Sequence, residues 1–535
     1  MQICKLLGFL SLIVIIVNND ASQNRHSRSV VNMDDLLKTE EDLVQNLERY
    51  TVVLSQKAKI IRWGIRQMEE LHQKENILRN GSPSTFSLIR HMQADWLMWL
   101  EYLERPVGLE QLEFLNATKE SLPQDYDFYD AADAIRRVQK TYGLLSKDIA
   151  SGLLNGVQYN SSLESIDSLA VAHHLMRQLR WSYAEQWILA GIETQDRKAS
   201  KTEMHLLTGP TKAKLYRDLG KVLTEQGKQK EALEAYEAAL KLAPHDVETF
   251  HEYKNLRTKA LTILLAEPIE KVPKDDIEKM QLPPCCSGHC ERRSELKRLY
   301  CVYNHATAPF LVLSPIKTEI LSLDPFMAIL HDMVSPKESA LIRSSSKSLM
   351  VPSLTANPDD PDNYLVGKFR TSKAVWLDSD GNEVTSRLSQ RLEEATGLDM
   401  NRSEPFQVMN YGIGGFFETH YDLFLSDEDR FQVGYVDRLA TTLFYLSDVP
   451  QGGGTYFPGL NITVFPKFGA ALFWYNLDTK GNQQLRAMHT GCPVIVGSKW
   501  VMSKWIDDQG QEFKRPCVKE SSDTMHLPSI ERLII

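Results

Sequence analysis

The sequence predicts a multidomain α + β protein. An N-terminal coiled-coil/helical region is followed by a tetratricopeptide-like α-helical domain and a C-terminal double-stranded β-helix, or jelly roll. Three observations predict it. Apolar residues repeat in heptads within residues 33–75, and a helix-pair signature occupies 210–250. From about 318 onward, short apolar runs alternate with turns rich in Gly, Pro and Asn. At 535 residues the chain has room for about three domains.

Residues 1–21 have the form of a signal peptide. Lys5 supplies the charge, Leu6 to Val17 the apolar run, and Ala21 the small residue at the cleavage point. That run is too short to span a bilayer, and no later segment is apolar enough, so no membrane span is expected. The next region, 22–145, is expected to be a helical/coiled-coil dimerisation region. Within it, Val44, Thr51, Ala58 and Ile65 recur every seven residues, with Leu47, Leu54, Ile61 and Met68 three positions later. Such a seam pairs helices either within one chain or between two. Pro83 and Ser84 are expected to break the pattern, with further helices at 85–105 and 130–141.

Residues 146–255 are expected to form a peptide-substrate-binding domain. Tyr216, Leu219, Gly220, Leu223, Ala232, Tyr236, Ala239 and Pro244 fall at tetratricopeptide spacings. Gly220 and Ala232 allow close approach of two antiparallel helices, and Pro244 stops the second. An earlier pair, around 169–179 and 183–192, has the look of a degenerate copy. Stacked helix pairs present a concave face suited to extended peptides.

A linker containing Cys and Pro, 256–317, holds Cys285, Cys286, Cys290 and Cys301, with His289 among them. Zinc is one reading of such a cluster; a secretory setting favours disulfides. After loss of Cys4 six cysteines remain, an even number. Sequons at Asn80, Asn116, Asn160, Asn401 and Asn461 are candidate glycosylation sites and agree with the same compartment. The final Leu533-Ile534-Ile535 is not a retention signal, so residence in the endoplasmic reticulum lumen would need a partner. A formal charge of −9, from 61 basic and 70 acidic side chains, argues mildly against nucleic acid as a partner.

The segment 318–535, with its core at about 402–510, carries the chemistry. Strands are expected at 406–411, 417–422, 439–446, 455–457, 462–464, 470–475, 494–496 and 499–506. His420-Tyr421-Asp422 would put an imidazole and a carboxylate on one face of a strand. His489 adds a second imidazole. Two histidines and one carboxylate cap one face of Fe(II) and leave positions open for oxygen and a co-substrate. Lys499 supplies a fixed positive charge suited to a dicarboxylate. A lone His-X-Asp is weak, since His289-Cys290-Glu291 shows how readily such spacings arise.

These residues sit in longer strings. They are Tyr411-Gly412-Ile413-Gly414-Gly415-Phe416-Phe417-Glu418-Thr419-His420-Tyr421-Asp422, Gly452-Gly453-Gly454-Thr455-Tyr456-Phe457-Pro458, Phe473-Trp474-Tyr475-Asn476-Leu477, and the block from His489 through Lys499 to Cys517. The strings resemble collagen prolyl 4-hydroxylase α subunits, and the resemblance extends over nearly the whole mature chain. It implies Fe(II) held by His420, Asp422 and His489. It also implies 2-oxoglutarate held by Lys499, Tyr411 and Thr455, and a peptide side of the pocket lined by Arg438 and Trp505. The implied reaction consumes oxygen and 2-oxoglutarate, releases carbon dioxide and hydroxylates C4 of a peptidyl proline in collagen-like chains, with ascorbate keeping the iron reduced. The resemblance further implies a Cys492–Cys517 disulfide and an α2β2 tetramer whose β subunit is protein disulfide isomerase. For the remaining cysteines, Cys301 bonded to one of Cys285, Cys286 or Cys290 is expected.

Two departures stand out. The family often has a histidine two residues beyond the tryptophan matching Trp505; here it is Asp507, a carboxylate that would repel an anionic co-substrate unless it faces away. The family's groove tyrosines are replaced by Lys221 and Thr224, with Trp181, Tyr183 and Trp187 as other aromatic candidates for that surface. A non-catalytic peptide-binding scaffold with a decayed oxygenase fold, and a hydroxylase of another side chain, are the alternatives. The intact four-residue set disfavours the first, and a lysine rather than an arginine at 499 disfavours the second.

Overall fold

A computed structural model of the chain describes residues 29–73, 82–196, 209–263, 284–290, 300–357, 360–366, 369–423, 436–516 and 530. The signal segment, Asn80 and Cys517 lie outside them. The chain divides into two compact units, one of residues 31–124 and one comprising the remainder.

The smaller unit is helical: α1 (Met33–Gln73), α2 (Ser82–Arg90), a π-helical turn His91–Asp95, α3 (Trp96–Glu104) and α4 (Leu109–Thr118). Pro83 does not break a helix here. It sits at the first turn of α2, where a missing N–H costs nothing. Asn46 of α1 donates to the Gln111 carbonyl of α4, and the Lys57 ammonium caps the carbonyls of Leu103 and Arg105. The seam itself stays open: Val44, Leu47, Leu54 and Ile65 are each about half exposed. A cavity of about 390 Å³ lies between α1 and α3, lined mainly by Trp63, Met68, Met98, Trp99 and Tyr102.

The larger unit opens with α5 (Asp125–Tyr142). Two antiparallel pairs follow, α6 (Ser165–Arg177) with α7 (Trp181–Asp196) and α8 (Lys212–Glu225) with α9 (Gln229–Leu242), and then α10 (Val247–Ile263). The repeat residues behave as their spacing requires. A Cβ on Gly220 would lie 2.7 Å from the Tyr236 ring, so only glycine lets α8 and α9 approach this closely. Gly227, at φ +77°, makes the turn between them. The earlier pair is a second such unit, with Trp187 and Ala190 in its core. Trp187 is fully buried, and Trp181 and Tyr183 pack against the same core rather than forming a free aromatic surface.

The β domain holds two facing antiparallel sheets. Their strands are β1 (Tyr300–Asn304), β2 (Ile316–Leu323), β3 (Phe326–Leu330), β4 (Val351–Pro352), β5 (Lys373–Leu377), β6 (Phe406–Tyr411), β7 (Phe417–His420), β8 (Arg438–Tyr445), β9 (Thr455–Phe457), β10 (Ile462–Val464), β11 (Ala471–Tyr475), β12 (His489–Gly491) and β13 (Lys499–Asp507). The larger sheet runs β1-β2-β3-β11-β8-β13-β6-β5-β4 and the smaller β7-β12-β9-β10. Met409, Leu443, Leu472, Trp474 and Val501 of one meet Phe457, Ile462 and Val464 of the other in one core, which Val494 joins from just beyond β12. Two packed antiparallel sheets of this kind are the expected jelly roll. Helices α11 (Pro336–Lys347) and α12 (Glu383–Thr396) complete the domain.

The disulfides differ from expectation. Cys492 is bonded to Cys286, not Cys517, and Cys285 is bonded to Cys290. The turn Pro284–Ser287 packs where β12 ends, so Cys286 and Cys492 lie in one buried cluster with Tyr456, their Cα atoms 5.6 Å apart. Cys301 sits on the edge strand β1, exposed and unbonded among the described residues. Of the sequons, Asn116, Asn160 and Asn401 are exposed, whereas Asn461 is half-buried with its side-chain oxygen accepting from Tyr456.

Candidate active site

The facing sheets place His420, Asp422, His489, Lys499, Tyr411, Thr455 and Trp505 around one small cavity, with Arg438 outside its lining. β7 pairs with β12 so that His420 lies opposite His489. The strand ends at His420, earlier than expected, and Asp422 stands in the bend beyond it. Its carboxylate still turns inward: Oδ1 is 3.7 Å from His420 Nε2, and Oδ2 is 3.8 Å from His489 Nε2. One donor atom from each of the three residues lies within 4.8 Å of the others, the sole such group among the described residues.

The surroundings set which atoms face the cavity. His420 Nδ1 donates to the Glu418 carbonyl at 2.7 Å and His489 Nδ1 to the Ala487 carbonyl at 3.0 Å. A carbonyl can only accept, so each Nδ1 carries the proton and each Nε2 keeps its lone pair for a metal. Phe417 stacks on His420, ring centroids 3.6 Å apart, and Trp474 meets His489 edge-on at 4.9 Å. Burial beside His489 drives the His420 imidazolium down to about 3, so the ring is neutral at physiological pH. Burial alone would raise the Asp422 carboxyl. The imidazoles, Arg438 and the Thr441 hydroxyl outweigh it and hold the acid down near 2. Thr441 donates to Asp422 at 2.8 Å and accepts from Asn476 at 2.9 Å. Two imidazoles and one carboxylate, aimed at a common point and oriented by outer hydrogen bonds, fit Fe(II).

Lys499 of β13 lies opposite Tyr411 of β6, its ammonium 5.7 Å from the phenol ring. It is buried, and among the described residues no carboxylate pairs with it. Desolvation lowers the ammonium from 10.5 to about 7. Thr455 and Tyr411 line the same cavity, and Tyr445 stands 3.4 Å from the Thr455 hydroxyl. A buried cation ringed by hydroxyls suits a small anion.

Arg438 grips Glu404 with two nitrogens, at 2.5 and 2.9 Å, and lies 4.0 Å over the Trp505 ring. It also reaches the Asp422 carbonyl at 3.4 Å, so it is more than a surface ion pair. Trp505 lines the cavity with a buried indole N–H that has no hydrogen-bond partner among the described residues. Lys499, Val501, Ser503 and Trp505, every second residue of β13, line one wall. Asp507 comes two positions later and is not part of the lining. Arg370 escaped sequence reasoning. It lines the cavity, donates to Gln407 at 2.6 Å and lies 4.7 Å over the Phe417 ring. No local pattern marks it, because it reaches the site through one isolated bridge to Phe417. Thr441 and Asn476 were findable as polar residues interrupting or ending apolar strands.

Fold and site together define a non-haem iron oxygenase. Comparison with known proteins agrees. Residues 406–507 match the 2OG-Fe(II) oxygenase superfamily, 29–156 the N-terminal region of the prolyl 4-hydroxylase alpha subunit, and 213–246 a tetratricopeptide repeat. Prolyl 4-hydroxylase subunit alpha-1 of Homo sapiens is 29% identical over 541 residues, covering 96% of this chain and 99% of that one. The Mus musculus protein of the same name is 30% identical over 513 residues, covering 91% and 95%. Among solved structures, a viral collagen prolyl hydroxylase from Paramecium Bursaria Chlorella virus-1 is 23% identical, with a TM-score of 0.28, over 34% of this chain and 95% of that one. The chain belongs to the prolyl 4-hydroxylase alpha-subunit family and is an Fe(II)- and 2-oxoglutarate-dependent dioxygenase.

Proposed function

We propose that this catalytic subunit hydroxylates peptidyl proline in collagen-like or other proline-rich chains within the endoplasmic reticulum lumen. The convergence of His420, Asp422 and His489 beside the buried Lys499 carries this reading. The two Nε2 atoms and the Asp422 carboxylate would hold Fe(II). When bound, Fe(II) with 2-oxoglutarate and oxygen supplies the oxidising power for C–H hydroxylation. The residues supply position. Lys499, Tyr411 and Thr455 would clasp the distal carboxylate, fixing the reach of the keto acid toward the metal. Arg438 braces Trp505 and the Asp422 backbone at the side where a peptide would enter. Phe417, Phe457 and Trp474 keep water away from the histidines.

The helical repeats are proposed to hold a second stretch of the same chain, since proline-rich segments bind at low ordering cost and a tethered second site raises effective concentration. Of the two expected groove positions, Lys221 bonds Glu248 and Glu252 at 3.2 and 3.1 Å, with Arg217 beside it on Glu248 at 2.7 Å, and the Thr224 hydroxyl donates to the Gly220 carbonyl at 2.7 Å. We further propose an α2β2 assembly with protein disulfide isomerase, pairing of α subunits through α1, N-glycosylation at the exposed sequons, and ascorbate as reductant. The test is 2-oxoglutarate-dependent hydroxyproline formation by the purified complex across collagenous and non-collagenous proline peptides. Product with at least one class is expected. Absence of product from all of them, with iron bound, overturns the reading.

A further inference from the structure

Helix α5 lies in the N-terminal region by sequence, yet it groups with the groove and the oxygenase in one compact unit. One side of it meets the helical repeats. Gln139 accepts from the Trp187 indole at 2.9 Å and donates to Gln186 at 3.0 Å, and Asp133 bonds His174 at 3.1 Å. The other side meets two turns of the β domain. Arg137 Nε donates to the Gly414 carbonyl at 3.1 Å, and its guanidinium lies 4.6 Å over the Phe416 ring. Gly414 is left-handed, at φ +67°, and a Cβ there would stand 2.6 Å from that of Ala134. The Tyr142 hydroxyl donates to the Pro493 carbonyl at 2.6 Å. The two turns are bonded to each other, Gly414 N–H to Val494 O at 2.7 Å and Val494 N–H to Gly415 O at 3.2 Å.

We propose that Arg137 and Tyr142 are positioning residues for the oxygenase reaction: from one helix they hold the turn that enters the His420 strand and the turn that leaves the His489 strand. The inference rests on the reading that these histidines hold the metal. The need for such a hold is visible in the ladder. β7 is four residues long and ends its sheet; its outer side meets a short segment through the Arg370–Phe417 bridge, the Thr371 N–H to the Phe416 carbonyl at 3.0 Å and the Glu418 N–H to the Phe369 carbonyl at 2.8 Å. Its register with β12 is irregular between Phe417 and His420. An edge strand so short is poorly fixed by its own pairing. The contacts from α5 fix the turn before it, and through Pro493 the turn after its partner, so that the distance between the two imidazoles is set from outside the sheet.

The test uses the full-length enzyme and two readouts, turnover of a proline peptide and affinity for Co(II) titrated through its visible absorption. Arg137→Ala and Tyr142→Phe are expected to weaken Co(II) binding about tenfold and to lower kcat more than they change peptide KM. Arg137→Lys, which keeps a donor, should recover most of the loss. Gln139→Ala, which cuts the same helix from the repeats, should lower Tm and leave Co(II) affinity unchanged. Wild-type Co(II) affinity in the Arg137→Ala and Tyr142→Phe variants alike would overturn the proposal. So would an equal loss in Gln139→Ala at equal Tm. If the wild-type protein hydroxylates no proline peptide, the activity reading fails while the Co(II) titration still decides the positioning role.

Discussion

At the residue scale, three side chains make separable predictions. His489→Ala should abolish both stoichiometric iron binding and turnover, read by metal analysis and hydroxyproline assay, because two donors cannot replace the facial set. Thr441→Val should weaken metal binding by roughly tenfold or more, since it removes the hydroxyl that fixes the Asp422 carboxylate and strands Asn476. Lys499 gives a pH signature. Its ammonium is lowered from 10.5 to about 7 by burial, so above pH 7 it is largely neutral before a ligand arrives. A bound dicarboxylate favours the charged form and raises it again. Binding of 2-oxoglutarate between about pH 7 and 10 should therefore take up a proton, measurable by calorimetry in buffers of different ionisation enthalpy. Lys499→Met should abolish that uptake and raise KM for 2-oxoglutarate.

At the element scale, α11 begins with a capping box in which Ser335 and Glu338 satisfy each other's backbone amides, and Arg391 of α12 clasps Glu338 at 3.1 and 3.2 Å. Burial works to raise the Glu338 carboxyl, but Arg391 and Ser335 outweigh it and lower it from 4.5 to about 2. A lowered acid stabilises the fold above its unfolded pKa. That contribution is thus complete above pH 4.5 and is lost as pH falls toward 2. Glu338→Gln should flatten this part of the Tm-against-pH curve and cost about 1–3 kcal/mol at neutral pH. Although β12 (His489–Gly491) was missed, the other named strands of the β domain from 406 onward were legible to within about two residues, because turn residues punctuate short apolar runs there. The strands between 300 and 377 were not. Their burial comes from long-range pairing, as when β3 joins β11, and no local period announces it. The disulfides were illegible for the same reason: Cys286 and Cys492 are 206 residues apart, and only the folded sheet brings the linker turn to the end of β12.

At the scale of the whole molecule, α1 shows an exposed apolar seam that its own unit leaves uncovered. Leu47→Asp with Leu54→Asp should convert the proposed α–α pairing to monomer, read by light scattering, while leaving peptide turnover per subunit close to wild type. The heptads made the helix legible, but a seam looks the same whether its cover comes from the same chain or another. The iron site was legible earlier than the groove. Four polar residues in fixed strings specify chemistry, whereas repeat residues such as Trp187 specify packing, and nothing local tells a packed aromatic from one that greets a ligand.

The Lys499 ammonium, buried in the jelly roll with no carboxylate partner among the described residues, has a further effect on turnover. What relieves its isolation is any slender dianion of suitable reach, and succinate, the four-carbon remnant left once the keto acid is spent, is one. The enzyme should accordingly slow as its own waste accumulates, and added succinate should compete with fresh co-substrate and leave the peptide's apparent affinity untouched.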